Sequence, residues 1–381
     1  MRCSSTKILI IFPEEYLAFS PTTLNIFRET KKKLDTVLLA FAPRKRGGKK
    51  LQEEGIRYID TPKWQRLLIK PYLFLYSLFS RKTNYALLKK VGMSRFYRLY
   101  LIARKIRPFV KDHEIIAVDF MTAWICQELY GKKIHFLSLE IIEEDPFFKK
   151  INQQLLSSVI IQNEERFHYL FGNEVIQTFY IQNAPVFREI EVKPQEERHG
   201  LLFLGAAEIG FGIFSCLQFI HAYPQYTLTL KGYMTADIRN RVETEYRHLL
   251  DEKRLLFDTH YLPQSELSEY LHKFRIGFCF YDVSLPHMNR FNYYTAPSGK
   301  LFQYHASGIP VIASDLPGLN SVKLFETGVM IKDLDPASIH EAIKQVEDHY
   351  ESMTFNSFKA AKYYDFDASS KEFVAFLCQQ S

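Results

Sequence analysis

The chain has 381 residues, 47% of them hydrophobic and 24% charged, with a formal net charge of +6. That length and mixture suit a folded protein of about two domains with ample core, and they exclude a disordered or low-complexity chain. Five cysteines (Cys3, Cys126, Cys216, Cys279 and Cys378) lie far apart, with no CxxC pair and no His/Cys cluster. Free thiols in a reducing compartment are expected, without a zinc site or a disulfide framework.

A first buried strand is expected at 7–12, with no signal-peptide pattern before it, so the expected location is cytoplasmic. A helix at 23–33, a strand at 36–41, a basic loop at 44–50 and a short strand at 56–59 follow. Between Lys63 and Lys111 stand thirteen Lys and Arg without one Asp or Glu, interleaved with ten aromatics. This stretch carries +13 and leaves −7 on the remainder. Cations mixed with rings suit peripheral contact with an anionic membrane at its inner face, each cation contributing about 1 kcal/mol near the surface. The alternative is a solvated helical face whose aromatics pack inward. No nucleic-acid-binding motif is present, so no nucleic acid is expected as a partner. The longest near-apolar run, 71–79, falls short of the ~20 residues that cross a bilayer.

Strands at 114–118, 133–139 and 159–162 extend the alternation of strand and helix. The second half repeats it, with strands at 200–204, 227–231, 255–258, 276–281, 311–314 and 328–331, and the breakers Pro185 and Pro194 lie between the halves. Such alternation implies open, mostly parallel sheets. Two doubly wound α/β domains are expected, at 1–184 and 185–355, followed by a helical tail at 356–381. Ligands of such sheets sit at the carboxyl ends of the strands, which makes a cleft between the two domains the expected site.

The most informative segment is 296–315, a turn, a helix and a strand in succession. Pro297 and Ser298 form a helix start, with Ser298 able to cap it and Gly299 allowing close backbone approach. A helix N-terminus favours anions, and Lys300 in its first turn adds a cation. Gly205, Gly210 and Gly212 could bring a second loop close to phosphate. Lys231, at a strand end, and Arg290 are further cations in reach of the segment. Asp119 and Glu140, each following a strand, are candidate acid–base carboxylates.

The run Lys300-Leu-Phe-Gln-Tyr-His-Ala-Ser-Gly-Ile-Pro-Val-Ile-Ala-Ser314 resembles the donor-binding signature of the family 4 retaining glycosyltransferases, which have the GT-B fold. The similarity continues upstream through 256–281 and downstream through 327–343, and covers residues 198–375. The resemblance implies two Rossmann-like domains facing a central cleft, with the tail crossing back to brace the first domain. It also implies a metal-independent, cofactor-free hexosyltransferase that moves a sugar, with retention, from a nucleotide-diphosphate donor to an acceptor hydroxyl. UDP is the favoured nucleotide, and the basic aromatic stretch suggests a lipid-linked or cell-envelope glycan as acceptor.

Site residues follow from the same resemblance. The helix-opening residues Ser298, Gly299, Lys300 and Leu301 are assigned to the donor, with Lys300 the first choice of phosphate cation and Arg290 the second. The two Glu positions of the signature are Thr295 and Gln303 here. Gln303 keeps an acceptor for a ribose diol, whereas Thr295 cannot replace a carboxylate. The Arg and Lys that the family places in its first glycine loop are Ala206 and Phe211, leaving the backbone at Gly205 and the nearby Lys231. The loop after 255–258 is implied to read the base, with Tyr261 beside it and Leu262 following. Asp282 lines the donor cleft or caps the next turn. In the first half, Glu140 survives from a His-Glu pair whose His place is Leu139. Two alternatives share this fold: a non-catalytic relative that binds a partner or nucleotide sugar, and a nucleotide-sugar epimerase.

Overall fold

Residues Ile8 to Phe12 of β1 (Lys7–Phe12) are all buried, as are Thr36 to Phe41 of β2 (Asp35–Phe41). Continuous rather than alternating burial belongs to parallel strands covered on both faces. The structure is a computed structural model and describes residues 6–43, 50–60, 91–191, 193–260, 262–286, 288 and 290–379. The first sheet adds β3 (Ile56–Ile59), β4 (His113–Val118), β5 (Ile134–Leu137), β6 (Leu156–Ile161) and β7 (Thr178–Tyr180). All its pairings are parallel, in the order β3-β2-β1-β4-β5-β6-β7. The second sheet is also parallel, with β8 (Leu201–Leu204), β9 (Leu228–Lys231), β10 (Leu255–Asp258), β11 (Ile276–Cys279), β12 (Val311–Ser314) and β13 (Gly328–Ile331). Its order is β10-β9-β8-β11-β12-β13.

The chain divides into two compact units, Met1–Gln182 with Asp367–Ser381, and Asn183–Phe366. The tail, read from sequence as one helix, is two: Tyr350–Tyr363 in the second unit and Phe366–Gln379, nearly all of it in the first. The break between them has a local cause. The Asp365 carboxylate accepts the Phe187 amide at 2.8 Å, and the Phe366 amide donates to the Pro185 carbonyl at 3.3 Å. In the first unit, Phe373 and Phe376 of the last helix pack against His135 and Phe179.

Of the basic aromatic stretch, residues 63–90 lie outside the described residues. The described part forms the helix Met93–Ile106, where Phe96 and Tyr97 are buried. Arg95 pairs with Asp145, and Arg98 pairs with Glu14 at 2.6 Å and Glu15 at 3.0 Å. This helix therefore turns Phe96 and Tyr97 inward, leaves Tyr100 half-buried, and has two of its cations neutralised by partners. Among the described residues no helix is long and apolar enough to cross a membrane.

Candidate functional site

In the second unit the chain runs from β8 outward to β10, then crosses back to β11 beside β8. The connections leaving β8 and β11 diverge, and the carboxyl ends of these two strands form the crevice where open α/β sheets bind ligands. The helix Gly299–Ala306 is fastened under that point by Tyr304, which is fully buried. The Tyr304 hydroxyl accepts the Leu204 amide at 2.9 Å and faces the carbonyls of Phe278 at 3.0 Å and Leu202 at 3.3 Å. Its ring lies over Gly277, where an added Cβ would meet it at 2.9 Å.

Lys300 stands one helical turn before Tyr304 and so on the same face. Its Nζ is buried and has no hydrogen-bond partner among the described residues. Three rings surround it instead: Phe211 at 4.7 Å, Phe203 at 5.0 Å and Tyr281 at 5.4 Å from their centroids. Burial lowers the Lys300 amine from its ordinary value, against smaller opposing effects of Cys279, Cys216 and Glu208. Ser298 heads the helix but leaves it uncapped by a side chain, a departure from the expected capping role. Its hydroxyl bonds the Cys279 thiol instead. At this helix start the Leu301 amide turns to the Ser298 carbonyl at 3.0 Å, and the Lys300 side chain stands at the positive end of the helix dipole.

The remaining donor-side residues spread around the same strand ends. Gly205 follows β8 with φ +100°, and Gly232 packs on it so closely that a Cβ there would lie 2.2 Å from the Gly205 carbonyl oxygen. Gly299 approaches Asn183, whose Nδ2 would be 2.6 Å from an added Cβ. Gln303 is buried, and its Oε1 has no partner. Thr295 is buried too, with its hydroxyl donated to the Phe291 carbonyl at 2.8 Å. Asp282 takes the capping role, accepting the Ser284 amide at 3.2 Å. Arg290 is exposed at the start of the helix Phe291–Thr295. Leu262 is half-buried after β10, while Tyr261 lies outside the described residues.

Two of the expected donor residues have their side chains engaged within the protein. The Leu301 side chain is core, packed with Leu202, Ile309 and Val311 rather than turned to a ligand. Lys231 is not a free cation: its ammonium bonds Asp258 at 2.9 Å and the His260 carbonyl, beneath the Tyr270 ring. Burial alone would push the Asp258 carboxyl up, but bonds from Tyr270, Lys231 and the His260 amide hold it below its ordinary value.

The first unit has its own point of divergence, between β1 and β4. Asp119 follows β4 directly with φ +61°, a left-handed conformation uncommon for a non-glycine residue. Its Oδ1 accepts the amides of Leu139 at 3.0 Å and Glu140 at 3.3 Å, tying the end of β4 to the loop after β5. Burial pushes its carboxyl up to about 7, with the Glu140 and Glu14 charges adding and those amides opposing. Glu140 itself is exposed. Arg166, which sequence reading passed over, is fully buried and donates to the Leu139 carbonyl at 3.1 Å. Burial lowers its guanidinium to about 10, while Glu140 and Asp119 hold it up. Its only sequence signal is its place on the buried face of the helix Glu164–Phe171, one turn before Leu170.

The Asp119 carboxyl gives a pH prediction. Its folded value of about 7 exceeds the ordinary 3.8, so between these the folded chain keeps a proton that the unfolded chain has released. Stability then falls as pH rises through that window, and the penalty persists above it. Asp119→Asn keeps the acceptor without the charge. Its melting temperature should exceed that of the native protein at about pH 8 and merge with it near the ordinary carboxylate value. Thermal melts across this range check the sign; a variant less stable throughout would refute it.

No protein-family model matches the chain, and no curated protein matches it either. Solved structures do. An α,α-trehalose-phosphate synthase (UDP-forming) from Burkholderia vietnamiensis superimposes with a TM-score of 0.63 at 14% identity, covering 98% of this chain and 99% of that one. The E. coli trehalose-6-phosphate synthase bound with UDP-2-fluoro glucose gives 0.62 at 12%, with coverages of 98% and 99%. A trehalose-6-phosphate synthase studied for glycosyltransfer with retention gives 0.61 at 12%, again covering 98% and 99%. At such identities the likeness is one of fold, and it extends over nearly the whole chain. The fold is GT-B, built here from seven-stranded and six-stranded parallel sheets of Rossmann-like type.

Proposed function

We propose that this protein is a retaining glycosyltransferase of the family 4 type, transferring a hexosyl group from a nucleotide-diphosphate sugar to an acceptor hydroxyl without a metal. One observation carries the reading: a buried, partnerless Lys300 amine at an uncapped helix N-terminus, at the carboxyl edge of β8 and β11. Such a place suits an anion. In this reading the helix amides and Lys300 hold the diphosphate as charge develops on the leaving group. Gln303, with an unpartnered acceptor, takes a ribose hydroxyl. Phe211 occupies the place where the family carries a Lys, and its ring instead helps seat Lys300. UDP as the base-bearing part is supported by the UDP-sugar ligand of one fold neighbour and the UDP-forming activity of another.

On the acceptor side, Asp119 orients or deprotonates the hydroxyl, because its raised value places it near neutral pH. Glu140 lies beside it on the loop that Asp119 ties down. The acceptor class inferred is a lipid-linked or cell-envelope glycan, with peripheral contact at an anionic membrane. Its support is the basic sequence at 63–90 and the exposed Arg104, Lys105, Arg107 and Lys111. A non-catalytic, donor-binding role is favoured by one observation alone, the Thr295 hydroxyl bonded within its own helix where the family has a carboxylate.

A thermal-shift panel of UDP-, GDP- and ADP-sugars tests the reading. A ligand at 100 times its dissociation constant adds about 2.7 kcal/mol of stability, a clear rise in melting temperature. The UDP-sugars should give the largest shift. No shift with any of them rejects the donor site, and a shift with neither transfer nor hydrolysis favours the non-catalytic role. Isomerised sugar formed from the donor alone would favour the epimerase.

A further inference from the structure

We propose that the Lys300 amine, ringed by aromatic faces and without an acceptor among the described residues, takes up a proton from solvent when the diphosphate of a nucleotide sugar arrives. The inference rests on the donor reading above and adds to it a direct link between donor affinity and pH.

The geometry sets the argument. An ammonium carries three donors and surrenders three hydrogen bonds to water on burial. Around Nζ the described residues offer the faces of Phe203, Phe211 and Tyr281 and no hydrogen-bond partner. Ring faces attract a cation but do not replace directed acceptors. The ionisable groups facing the amine are Cys279 on β11, Cys216 on the helix Ile213–Ala222 and Glu208 on the loop after β8. Burial raises both thiols, which keeps them protonated and neutral. Glu208 is exposed and acts only at a distance, since Nζ has no bonded partner. The same burial lowers the amine from its ordinary value. A diphosphate brings negative charge and acceptor oxygens together, so the bound state favours the ammonium.

Linkage then fixes the sign. Between the amine's value in the empty site and its higher value in the complex, binding consumes a proton. Donor affinity should fall by up to about tenfold for each unit of rising pH in that window. No proton is taken up below the window, where Lys300 is already charged in the empty protein.

Isothermal titration of the intact protein with UDP-glucose, in buffers of different ionisation enthalpy, reads this directly. UDP-glucose is the right probe because its diphosphate diester does not titrate near neutral pH, so any proton counted belongs to the protein. The expected result is an observed heat that tracks buffer enthalpy with a slope approaching one proton absorbed. Lys300→Arg, whose guanidinium stays charged, should bind without that uptake. Binding of UDP-glucose with no proton absorbed overturns the proposal while leaving the donor site standing. Failure of UDP-, GDP- and ADP-sugars alike to bind overturns both. Titration of the Lys300 ε-carbon resonance in the empty protein needs no ligand. A value well below the ordinary Lys value of about 10.4 supports the proposal, and an unshifted one refutes it.

Discussion

Lys300→Met is expected to make the empty protein more stable and the donor site useless. The native side chain keeps a buried nitrogen without a hydrogen-bond partner, and an unsatisfied buried polar group costs about 1–3 kcal/mol. Methionine fills a similar volume, carries no such group, and makes sulfur–aromatic contacts with the rings that now surround the amine. Part of the gain is offset by losing the packing of the lysine stem against those rings, so the net effect should be about 1 kcal/mol. For a unit of this size that is roughly 2–4 °C in melting temperature. Activity should move the other way. Removing a preorganised group that stabilises charge in a dry site typically costs about 10²–10³ in rate, or about 2.7–4 kcal/mol. Melting with and without UDP-glucose, alongside a transfer assay, separates the two effects. The expected pattern is a higher baseline with no ligand-induced rise. A variant that binds donor as the native protein does would remove Lys300 from the site.

Tyr304→Phe should destabilise the second unit by about 1–3 kcal/mol, because one hydroxyl serves three backbone groups. Without it the Leu204 amide and the carbonyls of Phe278 and Leu202 lose their partner in a place water does not reach. Tyr304→Ala should cost more, about 3–5 kcal/mol, since it also leaves a ring-sized cavity over Gly277. Urea unfolding measures both. Because Tyr304 holds the helix that carries Lys300, Tyr304→Phe should also weaken donor binding in protein that is still fully folded. Equal stability of the Phe variant and the native chain would show that the backbone groups find other partners.

Much of this was legible in the sequence, for a physical reason. Strands buried on both faces read as unbroken apolar runs, and β1 and β12 fall where such runs stand, while β3, β10 and β13, only partly buried, also match their expected bounds. β7 did not stand out, because it is three residues long and only Phe179 is buried. The helix break before Phe366 was equally hidden, since its cause is a pair of bonds to residues near Pro185, far away in sequence. At the site, the helix start at Ser298 and the cation at Lys300 are local signals, and sequence conveys local signals well. Their setting is not local. Phe203, Phe211 and Tyr281 come from separate segments, and Phe211 taken alone looked like a missing Lys. Lys231 looked free because Asp258 and Tyr270, which hold it, meet it only after β9 and β10 pair.

The helix Phe366–Gln379 has a consequence for biosynthesis. Chains leave the ribosome from the amino end, so the half made first lacks its closing piece until the whole of the second unit has been made. Until Phe373 and Phe376 emerge, the aromatic seam at His135 and Phe179 has nothing to cover it. The half made second, by contrast, has every strand it needs as soon as residue 366 appears. The earlier-born lobe is thus the later to be sealed, and a nascent chain stalled between the two events exposes a sticky surface for chaperones to mask.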